Sequence, residues 1–75
     1  MTHEGTSWLE VEVRSGTSIW YPVTICTPDP TAVIPQRFTA PAANATVETI
    51  MAAAREARIV RCWPDGAREV LGATA

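Results

Sequence analysis

RIVRCWPDGAREVL, residues 58–71, decides how this chain folds. Pro64 and Asp65 suit the centre of a type I turn, because proline supplies its fixed φ, and Gly66 follows where a left-handed residue is needed and a missing Cβ removes the steric cost. The turn implies a β-hairpin in which Val60 lies opposite Val70, Arg61 opposite Glu69 and Cys62 opposite Arg68. Alternate side chains of a strand point to opposite faces, so a core must take either Val60 and Cys62 or Ile59 and Trp63. The pattern favours Val60 and Cys62 inward, with Val70, and sends Ile59, Arg61, Trp63, Glu69 and Leu71 outward.

The N-terminal part carries a second hairpin. In SWLEVEVR, residues 7–14, Leu9, Val11 and Val13 alternate with Trp8, Glu10, Glu12 and Arg14, as in a half-buried strand. The next strand lies in TSIWYPVTIC, residues 17–26, where Ile19, Tyr21, Val23 and Ile25 share one face and Trp20, Pro22, Thr24 and Cys26 the other. A two-residue loop at Ser15 and Gly16 would join the core set of one strand to the wrong set of the next. A three-residue loop of Arg14, Ser15 and Gly16 pairs Val11 with Ile19 and Leu9 with Tyr21, and both strands then agree on a core face.

Between the hairpins, ATVETIMAAAREAR (residues 45–58) brings Val47, Ile50, Met51 and Ala54 onto one stripe and predicts a helix from about residue 46 to 57. Thr46 is the expected cap, and Arg55 and Arg58 suit the negative end of the helix dipole. The crossing TPDPTAVIPQRFTAPAANA, residues 27–45, has four prolines and excludes a continuous central strand, leaving room for a short edge strand near Gln36 to Ala40. The expected fold is therefore α+β: hairpin, proline-rich crossing, one α-helix, hairpin. Its sheet is antiparallel or mixed, of four strands or five, with the helix on one face. Residues 7–71 form the single domain, and residues 1–6 and 72–75 are expected to be flexible tails.

Composition narrows the function classes. With 75 residues, a formal net charge of −2 and 47% apolar side chains, the chain is built to fold, and it lacks the cationic excess that phosphate-backbone binding uses. All six basic residues are arginine, and with abundant alanine this fits a GC-rich genome such as an actinobacterium or one of its phages. MTHEGTSW is no signal sequence and no apolar run spans a bilayer, so the expected location is cytoplasmic and no membrane is expected as a partner. Cys26 and Cys62 are too few and too far apart for a zinc site, and reduced, packed thiols are expected rather than a bridge. No cofactor, metal or small-molecule substrate is expected. The single histidine, His3, falls in a tail and lysine is absent, so Glu10 and Glu12, about 7 Å apart by strand rise, are the one carboxylate pair to weigh for catalysis. Alternating glutamates on a wet strand face are ordinary solvation, and an enzyme is not expected.

The outward set draws together Trp8, Trp20, Pro22, Trp63, Arg14 and Arg61. Tryptophan and arginine often carry binding energy, and an apolar patch rimmed by charge marks an interaction surface. The expected function is a small protein-interaction module, a homodimer or an adaptor or inhibitor docking on a partner protein, of the size of a phage or mobile-element accessory, with strand-edge pairing as one route. An alternative is single-stranded nucleic-acid binding by the same tryptophans and arginines, which the glutamates of that face oppose.

Two short resemblances add to this. Thr46-Val47-Glu48-Thr49-Ile50, at the expected helix start after a first hairpin, resembles the β-grasp arrangement of ubiquitin-like proteins; the long crossing and the C-terminal GATA, without a double glycine, depart from it. YPVTI (residues 21–25) with TVETIMAAAREA (residues 46–57) is similar to small antitoxins of the HicB type, which implies a toxin as partner.

Overall fold

The computed structural model describes residues 5–75; the first four residues of the expected N-terminal tail, His3 among them, lie outside these. Four strands and one helix follow in the order β1 (Trp8–Arg14), β2 (Tyr21–Pro22), α1 (Ala40–Ala52), β3 (Glu56–Cys62) and β4 (Arg68–Gly72). The sheet order is β2-β1-β3-β4, every neighbouring pair is antiparallel, and α1 packs across β3 and β1 on one face. The α+β class and the helix-on-one-face arrangement are as the pattern implied.

The second hairpin has the expected register, with Val60 opposite Val70, Arg61 opposite Glu69 and Cys62 opposite Arg68. Gly66 takes φ +89° and donates its amide to Trp63 O, while Asp65 Oδ1 accepts from the Ala67 amide at 2.9 Å. Local turn chemistry alone is enough to set this element.

Its facing is the reverse of the expectation. Ile59 is fully buried beneath α1 with Leu9, Val11, Ala43 and Val47, and Leu71 packs against that cluster. Val60 and Cys62 are buried too, but on the sheet's other face, and Val70 is exposed. A bulge between Ile59 and Val60 puts Gly72 rather than Leu71 opposite Ile59, which frees Leu71 to reach the core.

The first hairpin is displaced by four residues. Val13, not Leu9, lies opposite Tyr21, because Ser15 to Trp20 all enter the loop. Gly16 at φ +60° turns the chain, and the Ser18 hydroxyl donates to Ser15 O at 2.7 Å to close it. An even shift keeps side-chain parity, so Val23 still joins the core, whereas Ile19, Tyr21 and Ile25, all expected inside, are exposed.

The crossing forms no fifth strand. It is held by two isolated bridges, Thr24 with Pro35 and Leu9 with Phe38, and by hydrogen bonds from Ile25 N to Ile34 O and from Gln36 N to Val23 O.

α1 starts six residues earlier than the periodicity indicates. Thr39 caps it, its hydroxyl accepting from the Ala42 amide, and Pro41 sits in the first turn, where a missing amide costs nothing. Ala43, Val47 and half-buried Ile50 face the sheet, while Met51 is exposed. Thr46-Val47-Glu48-Thr49-Ile50 thus falls inside the helix rather than at its start. The helix ends before the arginines, with Ala54 N bonded to Met51 O and Arg55 N to Ile50 O, the two closures of a Schellman motif. Ala54 holds the left-handed position at φ +60°, a conformation that costs a non-glycine residue about 1–2 kcal/mol. Ala54→Gly is therefore expected to raise stability by about 1 kcal/mol in urea unfolding, after allowing for glycine's greater freedom in the unfolded chain. A loss of stability would show that the left-handed turn is not populated. At the other end, the Ala75 amide donates to Asn44 Oδ1 at 2.8 Å, tying the chain end to the helix.

Candidate functional site

The face of the sheet away from α1 is a lattice of charge and indole. Along β1 it presents Trp8, Glu10, Glu12 and Arg14; the ladder sets these opposite Cys62, Val60, Arg58 and Glu56 of β3. Glu12 is 8% exposed and held from two sides, accepting from Arg58 Nε at 2.7 Å and from Arg68 Nη2 at 2.7 Å. Glu10, equally buried, accepts from Trp8 Nε1 at 2.7 Å, with Arg68 Nη1 3.8 Å away. Arg14 pairs with Glu56 and holds that carboxyl below its ordinary range. Three arginines also lie against indoles: Arg14 and Arg58 stand 4.6 and 4.2 Å from the centre of Trp20, and Arg37 stands 4.0 Å from that of Trp8.

Charge-assisted bonds of this length are the strong kind, and the arginine stems cover the glutamates that the sequence places in water. Four arginines (Arg14, Arg37, Arg58 and Arg68) here meet three glutamates (Glu10, Glu12 and Glu56), so the lattice is nearly neutral.

Of the six residues expected to form a binding surface, the structure brings together Trp8, Arg14, Trp20 and Pro22. Pro22 lies opposite Glu12, on the lattice side. Arg61 lies opposite Leu9 and therefore shares the helix-side face, as does Trp63 by alternation along the chain. The reversed facing of β3 separates these two from the others.

Cys62 is buried in this lattice and Cys26 is exposed; both are free thiols. Burial, reinforced by the Glu10 charge and partly offset by Arg68, pushes the Cys62 thiol up to about 11 from its ordinary 9.0. The folded chain keeps this proton where the unfolded chain loses it, so the stability contributed is intact below pH 9 and lost as pH rises from 9 toward 11. At pH 8 an aromatic disulfide reagent is expected to modify Cys26 rapidly and Cys62 only after unfolding in urea. Equal rates for both in the native chain would contradict the burial.

Among the exposed large apolar side chains, Met51 lies on α1, Val70 on the lattice face and Val33 in the crossing, and four others gather elsewhere. Ile19 lies in the loop just before β2, Tyr21 and Ile25 lie on the helix side of β2 and its extension, and Ile34, opposite Ile25 across the Thr24–Pro35 bridge, shares that face. They are 67%, 57%, 43% and 45% exposed. α1 covers β1 and β3 and leaves β2 bare. Residues 15–28 contain no charged side chain, so the stripe is free of charge as well as apolar. The signal for it was the charge gap between Arg14 and Asp29, which strand alternation alone reads as core.

No protein-family model matches this chain, and no curated protein or solved structure matches it significantly. Among the described residues, no helix is long and apolar enough to cross a membrane.

Proposed function

We propose that this chain is a small, non-enzymatic protein-interaction module whose contact surface is the β2 edge, with the stripe Ile19, Tyr21, Ile25 and Ile34 at its centre. The observation that carries this reading is a set of large apolar side chains left outside the core in a segment without charge. Depletion of charge with aromatic enrichment is the compositional mark of an interface core. Trp20 and Pro22 extend the surface around the edge onto the opposite face. The non-enzymatic reading is supported by Glu10 and Glu12, the carboxylate pair weighed for catalysis, which are engaged by Trp8, Arg58 and Arg68. The lysine-free, alanine-rich composition fits a GC-rich bacterium or its phage as the source.

Single-stranded nucleic-acid binding is the second reading, and the arginine-stacked Trp8 and Trp20 favour it. Against it, Arg14, Arg58 and Arg68 are already matched by glutamates. A photo-crosslinking residue placed at Tyr21 or at Trp8 in the native cells tests both. The expected result is a protein adduct from position 21 and no nuclease-sensitive adduct from position 8. Nuclease-sensitive adducts from position 8 alone would replace the protein reading with the nucleic-acid one.

A further inference from the structure

The ladder between β1 and β2 is short, Glu12 with Pro22 and Val13 with Tyr21. Further along the helix side of β1, Val23 stands beside Val11 and Phe38 beside Leu9; their amides donate to Val11 O and Leu9 O, each at 2.8 Å, and both side chains pack against the core. Sliding β2 by four residues, to the register with Val11 opposite Ile19 and Leu9 opposite Tyr21, brings Ile19 to the place of Val23 and Tyr21 to the place of Phe38. A β-branched side chain then replaces a β-branched one, an aromatic ring replaces an aromatic ring, and each amide bond to β1 is exchanged for another. In the observed register Ile19 and Tyr21 stand outside the core, 67% and 57% exposed.

Three further features fit both registers. The Val23–Val11 bond turns the nitrogen of Pro22, which has no amide to give, away from β1, and an even slide keeps it turned away. Gly16 already holds, at φ +60°, the left-handed conformation that the tighter loop of Arg14, Ser15 and Gly16 needs. The bonds from Ile25 N to Ile34 O and from Gln36 N to Val23 O lie within the crossing and move with it. Trp20 belongs to the observed register alone: its ring lies 4.6 Å from the Arg14 guanidinium and 4.2 Å from that of Arg58, and the slide carries it along the same face to the place opposite Glu10. We infer that the first hairpin exchanges between these two registers and that Trp20 latches the observed one. The slid register draws Ile19 and Tyr21 into the core and out of the contact stripe. Resting on the interaction reading above, the slide therefore regulates that surface, because a partner finds the stripe complete only in the latched state.

Tyr21 is the single tyrosine of the chain, so 3-fluorotyrosine labelling of the full chain gives fluorine nuclear magnetic resonance one probe at the sliding strand. The main signal is expected to shift between H2O and D2O, as an exposed ring does. Saturation transfer is expected to reveal a second, solvent-insensitive signal with a population of about 1% or more, within the range of minor states. Trp20→Ala, which leaves the core cluster intact, is expected to raise that population at least about fivefold, the weight of two exposed cation–π contacts. Val23→Ser weakens the side chain that Ile19 replaces and is expected to act in the same direction, which keeps the test in place should the first variant fold poorly. A single solvent-exposed signal in the wild type and both variants, or a second signal that neither substitution strengthens, overturns the inference. The interaction reading fails separately: a hairpin that slides while position 21 captures no protein keeps the two registers and removes that reading.

Discussion

Ile59→Ala is expected to destabilise the domain by about 3 kcal/mol, whereas Val70→Ala should change stability by less than about 0.5 kcal/mol. Ile59 is fully buried between β1 and α1, and truncating it leaves a cavity that the helix cannot close without losing its contacts with Leu9 and Val11. Val70 stands on the opposite face and is largely in water. Domains of this size are stabilised by only about 5 kcal/mol or a little more, so the Ile59 variant should retain about 2 kcal/mol, with a few per cent of its chains unfolded at any moment. Urea unfolding of the two variants side by side measures the difference. Equal losses, or a larger loss at position 70, would mean that β3 turns its other face to the helix.

The second large effect is expected at Glu12. Its carboxylate joins Arg58 on the neighbouring strand to Arg68 on the strand beyond, so its removal releases two guanidiniums at once. Truncating one member of a buried ionic group is costly because the remaining charges lose their partner. Here the side chains of Arg58 and Arg68 are 29% and 48% exposed and regain water, which holds the expected cost of Glu12→Ala to about 2 kcal/mol. Glu12→Gln keeps the shape and one acceptor, and should recover about half of that loss. A cost below about 0.5 kcal/mol for the alanine variant would reduce the lattice to ordinary surface ion pairs. The same substitution frees two arginines, so tighter binding of single-stranded DNA by the variant would identify Glu12 as the group that disfavours nucleic acid on this face.

How far the sequence could be read depended on where each signal comes from. The Trp63 to Gly66 turn is written in adjacent residues, and the register of β3 with β4 follows from it. The facing of β3 is not written there, because Ile59, Val60 and Cys62 are all buried in a central strand covered on both sides. Val60 and Cys62 lie on the face that also carries Trp8 of β1, Arg58 of β3 itself and Arg68 of β4, an arrangement no local pattern announces. The helix start was legible in Thr39 and Pro41, although it lies within a segment whose prolines suggest loop. The helix end was hidden, because alanine at position 54 carries the strongest helix propensity while adopting a left-handed turn. The proposed contact surface was half legible. Charge depletion over residues 15–28 is visible in the sequence, but alternation assigns its apolar side to the core, and only the four-residue displacement of β2 leaves that side bare.

The central claim, that the β2 edge is the contact surface of this chain, is met most directly by photo-crosslinking in the native cells from position 21, with Val70, exposed on the opposite face, as the comparison. The account predicts a protein adduct from position 21 and none from position 70. Adducts from position 70 alone, or from neither position, would contradict it.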